Sequence, residues 1–175
     1  YKRIYNWAKE YFTSSDWRQL QLDLLWADAL YNSERSRKAE RLLRNLLHTV
    51  EQKEYVLLKL AEHSMRKGKF EDASVWKQDL VRTVSYPRSA VDHDISCRID
   101  LLEVDLLLGQ EKYQDALILL SRLIRSQSVK EIGAEKNCDG LQLQKRLVEV
   151  YYQLGQDHRA VQLVTESKVL SQDPE

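Results

Sequence analysis

Apolar side chains recur along the 175 residues at steps of three and four, the spacing of one buried helix face. Trp26, Ala27, Leu30, Ala39, Leu43 and Leu46 make one set, and Leu57, Leu60, Ala61, Ala73 and Leu80 a second. A third runs through Leu147, Val148, Tyr151, Ala160 and Val164, with Ser167 in phase. A polar turn interrupts each set, so each predicts two helices folded back on one another. No alternating run of Val, Ile and Thr bounded by turn residues marks a strand. Only five Gly and two Pro occur, and Leu, Ala, Glu, Gln, Lys and Arg dominate, which favours helix throughout. One such helix pair leaves an apolar face wet; stacking neighbouring pairs covers it.

The turns share a shape. Gly68-Lys-Phe-Glu-Asp-Ala73 and Gly155-Gln-Asp-His-Arg-Ala160 put Gly at a helix end and Ala five residues later. A chain reversing tightly between antiparallel helices favours Gly at that end, and a small side chain then lets the helices approach. Gly109 and Ala116 stand seven apart, and Glu34 and Ala39 keep the interval of five without Gly. The four alanines lie 34, 43 and 44 residues apart. The two longer spacings predict exposed, mobile insertions at 85–91 and 126–139.

In this repetition the chain resembles the tetratricopeptide repeat family, whose unit has Gly ending one helix and a small residue opening the next. Tyr151-Tyr152-x-x-Gly155-x-x-x-x-Ala160, with Pro174 beyond, is the best single copy, while Lys77 stands where the family places a large apolar residue. The resemblance implies an all-α, right-handed α-α superhelix forming one domain over 1–175. Its expected units are a lone helix at 1–13 and helix-turn-helix repeats at 17–50, 53–84, 92–126 and 140–171. The lone helix, Tyr5 to Phe12, looks like the second helix of a preceding repeat, with Ala8 as its small residue. Thr13-Ser-Ser15-Asp16 then supplies turn and cap chemistry. Because the chain opens on Tyr1, it is expected to be a segment of something larger.

The resemblance also implies a surface. In this family the first helix of each repeat lines a concave groove where bound peptides lie. Eleven residues before each Ala stand Asp28, Glu62, Asp105 and Glu149, expected to be solvent-exposed. Leu24, Leu58, Leu101 and Lys145 come four residues earlier, and Tyr31, Met65, Leu108 and Tyr152 three residues later. Such a groove suits a protein or peptide segment with apolar anchors and Lys or Arg between them. The family's chaperone-tail receptors grip a carboxylate with Lys and Asn at these positions. Only Lys145 conforms here, which argues against that function.

Charge is balanced, 27 basic against 27 acidic residues, so no single field covers the molecule. That argues against general binding to nucleic acid or an anionic membrane. No apolar run approaches the roughly 18 residues of a membrane helix, and no signal peptide is visible. Two cysteines, Cys97 and Cys138, do not make a disulfide framework. An intracellular chain with free thiols, in cytoplasm or nucleus, is the simpler reading.

Chemistry is sparse. The glycines form no phosphate-cradling loop, and His48, His63, His93 and His158 offer no HExxH. There is no CxxC pair and no Gly-x-Ser-x-Gly elbow, so no catalytic residue, cofactor or metal is expected. Asp92-His93-Asp94 with Cys97 is the nearest thing to a metal set, but it lacks a fourth ligand. It reads more simply as acids at a helix start. Arg35, Arg37, Lys38, Arg41 and Arg44 form a basic cluster, either a patch for phosphate or an acidic partner or a solvated face beside Glu34 and Glu40. Trp7, Trp17, Trp26 and Trp76 read as packing.

The expected function is a protein-protein interaction scaffold, a subunit segment of a multiprotein complex. One alternative is an RNA-binding helical repeat of the pentatricopeptide kind, which would need a basic groove. Another is the regulatory helical arm of a larger enzyme.

Overall fold

Good helix formers carry the chain between turns, and the turns set where each helix ends. A computed structural model describes residues 5–6, 17–84, 93–128 and 140–172. Among them regular structure is wholly helical: α1 Trp17–Asn32, α2 Ser36–Thr49, α3 Lys53–Arg66, α4 Phe70–Val84, α5 His93–Gly109, α6 Tyr113–Ser128, α7 Gly140–Gln153 and α8 Asp157–Gln172. Helix α6 runs through 126–128, into the insertion expected at 126–139. The remainder of that insertion, the one at 85–91, and all of the lone helix except Tyr5 and Asn6 lie outside the described residues.

Four reversals join the helices into hairpins, and all four have one geometry. Glu34, Gly68, Glu111 and Gly155 adopt φ of 61°, 69°, 60° and 67°, in the left-handed region. At the first, the Glu34 N–H donates to Tyr31 C=O (3.1 Å) and the Arg35 N–H to Leu30 C=O (2.9 Å). At the third, Glu111 donates to Leu108 (3.0 Å) and Lys112 to Leu107 (2.9 Å). These paired bonds are the Schellman motif, which satisfies carbonyls that the helix end leaves open.

Five residues after each left-handed residue stands Ala39, Ala73, Ala116 or Ala160, exposed by 0, 0, 0 and 7%. The third turn therefore corrects the sequence expectation. Gly109 is the last residue of α5, and Glu111 takes the left-handed position, restoring the interval of five.

The chain divides into two compact units, with the boundary between residues 90 and 91. In the first, α1 pairs with α2 and α3 with α4; α2 packs on α3, and α1 also touches α3. The core gathers Leu20, Leu24, Ala27, Leu43, Leu46, Val50, Val56 and Leu60, with Trp76 packed against it. In the second unit α5 to α8 make the same set of contacts. Its core gathers Cys97, Leu101, Val104, Ala116, Leu120, Leu143, Leu147 and Val150.

The two cores correspond residue by residue. Leu20, Leu24, Ala27 and Leu43 match Cys97, Leu101, Val104 and Leu120 at an offset of 77 residues. Val56 and Leu60 match Leu143 and Leu147 at an offset of 87. The second unit thus repeats the first, with a longer join between its hairpins.

Lys77 occupies the position filled by Leu43 and Leu120 in other hairpins. It is half-buried, and burial lowers the pKa of its ammonium. A lysine tolerates such a place because its methylene stem can be buried while the ammonium reaches solvent.

Two stability outcomes follow from this geometry. Ala73→Trp and Ala160→Trp should each destabilise by about 1–3 kcal/mol or more, since each forces bulk between helices in contact. Unchanged melting temperatures in both would contradict the assigned register. Glu34→Gly and Glu111→Gly should each stabilise by about 1 kcal/mol, because a side chain is strained in the left-handed region. Urea midpoints measured on the two glycine variants give the check.

Candidate interaction surfaces

Residues eleven before each alanine sit on the first helix of a hairpin, one residue after the positions held by Ala27, Ala61, Val104 and Val148. At that place Asp28 on α1 meets α3: Lys59 Nζ donates to Asp28 Oδ2 at 2.8 Å, and His63 Nε2 donates to Oδ1 at 3.0 Å. Lys59 also reaches Glu62 Oε2 at 3.2 Å. In the second unit the equivalent Asp105 on α5 receives a two-pronged contact from Arg146 on α7, Nε at 2.6 Å and Nη2 at 2.8 Å. Lys59 and Arg146 both lie fourteen residues before the alanine of their hairpin. In each unit, then, one acid of the first hairpin is clamped by one cation of the second.

This revises the expected row of solvent-facing acids. Asp28, Glu62 and Asp105 are only about a quarter to a third exposed; Asp28 and Asp105 are engaged between helices, and Glu62 pairs with Lys59 on its own helix. Burial pushes the Asp28 pKa up, but the hydrogen bonds and charges of His63 and Lys59 outweigh it and hold the carboxyl at about 2. The hydrogen bond to Asp105 raises the Arg146 pKa; burial opposes it, and the charges of Asp105 and Glu149 add to it. Glu149 itself is exposed.

The apolar half of the expected groove needs a larger correction. Leu24 is 8% exposed and Leu58 0% exposed, so both belong to the interior of the first unit. Their phase on α1 and α3 turns them onto neighbouring helices rather than toward solvent. Tyr31 is half-buried, its ring stacked on His63 at 4.4 Å between centroids. The Arg66 guanidinium and Lys67 ammonium both lie 5.8 Å from the centre of the Tyr31 ring. Met65 and Leu108 are half-buried. Lys145, Glu149 and Tyr152 differ: all three are exposed and, at steps of four and three, share one stripe of α7. Tyr152 is 67% exposed.

Sequence reasoning missed a second surface. A groove of 630 Å³ runs beside α1, lined by Leu22, Leu25, Trp26, Ala29, Asp28 and Tyr5 among others. Leu25 is 65% exposed there. Leu22, Leu25 and Ala29 recur at steps of three and four, out of phase with Leu20, Leu24 and Ala27 of the core, and that second phase is a signal in the sequence. Tyr5 closes one side: its ring stacks on Trp26 at 5.2 Å, and its hydroxyl donates to Asp23 at 2.5 Å. Burial first, then the bond and charge of Asp23, push the Tyr5 phenol above its usual range.

Among the described residues no group of three or more His, Cys, Asp or Glu could hold a metal. Asp92 lies outside those residues, and Cys97 is buried and disulfide-bonded rather than a free thiol. Disulfides persist mainly in oxidising compartments, so the expectation of an intracellular chain loses its cysteine argument. No described helix is long and apolar enough to cross a membrane. In the basic cluster Arg44 pairs with Glu40 at 2.9 Å and lies 5.0 Å from the centre of the Trp76 ring. Arg35, Arg37, Lys38 and Arg41 are exposed, with no ion-pair partner among the described residues.

Comparison with known proteins brings no match to a family model, a curated protein or a solved structure.

The Asp28 clamp sets an acid limit. A carboxyl whose pKa falls from 3.8 unfolded to about 2 folded contributes stability above pH 3.8 and loses it as pH drops through about 2. Asp28→Asn should cost on the order of 1 kcal/mol at neutral pH. Urea midpoints of the wild type and Asp28→Asn should converge as pH approaches 2. A constant gap across that range would show that the carboxylate charge is not what Lys59 and His63 hold.

Proposed function

We propose that this chain is a tetratricopeptide-like helical-repeat scaffold that binds other proteins, with its hairpins wound as a right-handed α-α superhelix. The observation that carries this reading is the fourfold turn, a left-handed residue followed five positions later by a buried alanine. Repeat hairpins that each cover a neighbour's apolar face build extended surfaces, and such surfaces serve recognition. The exposed apolar residues on first helices support the same use: Leu25 in the α1 groove and Tyr152 on the α7 stripe.

The acids count differently from the sequence expectation. Asp28 and Asp105 are committed to Lys59 and Arg146, so apolar anchors rather than basic side chains supply the main contact with a partner. Each unit offers its own face, the α1 groove in one and the Lys145–Glu149–Tyr152 stripe in the other.

Affinity capture followed by mass spectrometry tests the proposal, comparing the wild type with Leu25→Lys and Tyr152→Ala. Both side chains are mostly solvated, so circular dichroism and melting should stay near wild type. At least one protein retained by the wild type should be lost from one variant. Equal retention by all three chains, or no protein above the control, would sink the reading.

A further inference from the structure

A second groove, of 370 Å³, lies between α1 and α2 in the first unit. Its floor is apolar, made by half-buried Trp26 and Leu42 and buried Leu30. Its rim is cationic: Arg35, Lys38 and Arg41 all line it, all exposed and none with an ion-pair partner among the described residues. Glu40, the nearest acid along α2, is drawn away by Arg44 at 2.9 Å and Lys67 at 3.6 Å. An apolar trough edged by three unmatched positive charges is thus built into a molecule whose formal net charge is zero.

We propose that this groove binds an acidic amphipathic helix of another protein, its apolar side chains on the floor and its carboxylates along the rim. The spacing of the cations favours that occupant. Positions 35, 38 and 41 step by three residues, and three residues of helix rise about 4.5 Å. Glutamates at i, i+3 and i+7 of a helix laid along α2 advance by about 4.5 and then about 6 Å, a mismatch that long Arg and Lys side chains can span. A single phosphate asks instead for donors converging on one point. The Trp26–Leu30–Leu42 floor accepts the anchor that helix-in-groove recognition requires. This rests on the reading of the chain as a binding scaffold, and assigns partner chemistry to a face of α2 not used above.

The test uses the full 175-residue chain and a fluorescein-labelled helical peptide with leucine anchors and Glu at i, i+3 and i+7. Fluorescence anisotropy should give saturable binding that weakens steadily as salt rises, since exposed charges do the steering. The triple change Arg35→Glu, Lys38→Glu, Arg41→Glu should weaken it by about tenfold or more, and a peptide with Lys in place of Glu should not bind. If the reversal unfolds the chain, the neutral set Arg35→Gln, Lys38→Gln, Arg41→Gln carries the same comparison. Equal affinity of wild type and variant, or no saturable binding to the wild type, would overturn the proposal. So would a phosphopeptide or a single-stranded RNA binding more tightly than the acidic peptide. Failure here leaves the Leu25 and Tyr152 experiment standing, because no substituted residue is shared.

Discussion

Each hairpin reverses through one residue in the left-handed region, and two backbone hydrogen bonds across that residue fix how the second helix leaves the first. Once the exit direction is set, the residue five positions on must lie in the crevice between the helices. Only a small side chain fits there without separating them, and alanine fills it four times at 7% exposure or less. Close approach in turn fixes which positions of the first helix face its own partner, which face the next hairpin and which face solvent. The twelve residues before each alanine lead to Ala27, Ala61, Val104 and Val148, the first three fully buried. The turn is therefore the constraint from which the core, the clamps and the surfaces are measured.

Counting from that constraint explains why the two units share their chemistry as well as their core. Asp28 with Lys59, and Asp105 with Arg146, occupy equivalent positions and join the first hairpin of a unit to the second. The units differ around the clamp. Where the first unit adds buried His63 to the carboxylate, the second has buried Val150, and Arg146 covers both oxygens of Asp105 alone. One guanidinium presenting two parallel donors does what a lysine and a histidine do together. Half-buried pairs of this kind contribute modestly in net terms, but removing one member leaves a charge without its compensation. Each ties the first hairpin of its unit to the second at one defined point.

How much was legible in the sequence depends on whether the deciding partner lies nearby. The hairpin alanines and the turns at Gly68 and Gly155 are local features and could be read directly. Glu111 escaped because glycine is the expected occupant and Gly109 stood close by; the interval of five to Ala116 was the better guide. Leu24 was placed in a groove on the resemblance, although its own spacing to Leu20 and Ala27 puts it on the core face. Asp28 and Asp105 read as solvent-exposed in the sequence because their partners lie 31 and 41 residues away, a distance no pattern along the chain reveals. The disulfide state of Cys97 was equally hidden, since two cysteines far apart in sequence carry no spacing signal.

The same separation between sequence and space bears on charge. A chain with equal numbers of acids and bases looks neutral in composition, yet pairing is not even across its surface. In the first unit Lys59 serves both Asp28 and Glu62, so one cation satisfies two carboxylates. At the start of α2, Glu40 is shared by Arg44 and Lys67, while Arg35, Arg37, Lys38 and Arg41 have no ion-pair partner among the described residues. Asp28 is held at the seam between hairpins, while Arg35, Arg37, Lys38 and Arg41 stay exposed around α2. A neutral total is then compatible with a local field strong enough to select a partner, because screening confines each charge to about 8–10 Å at physiological salt. A balanced composition therefore speaks for the molecule as a whole and not for the α2 face, where Arg35, Lys38 and Arg41 stand together.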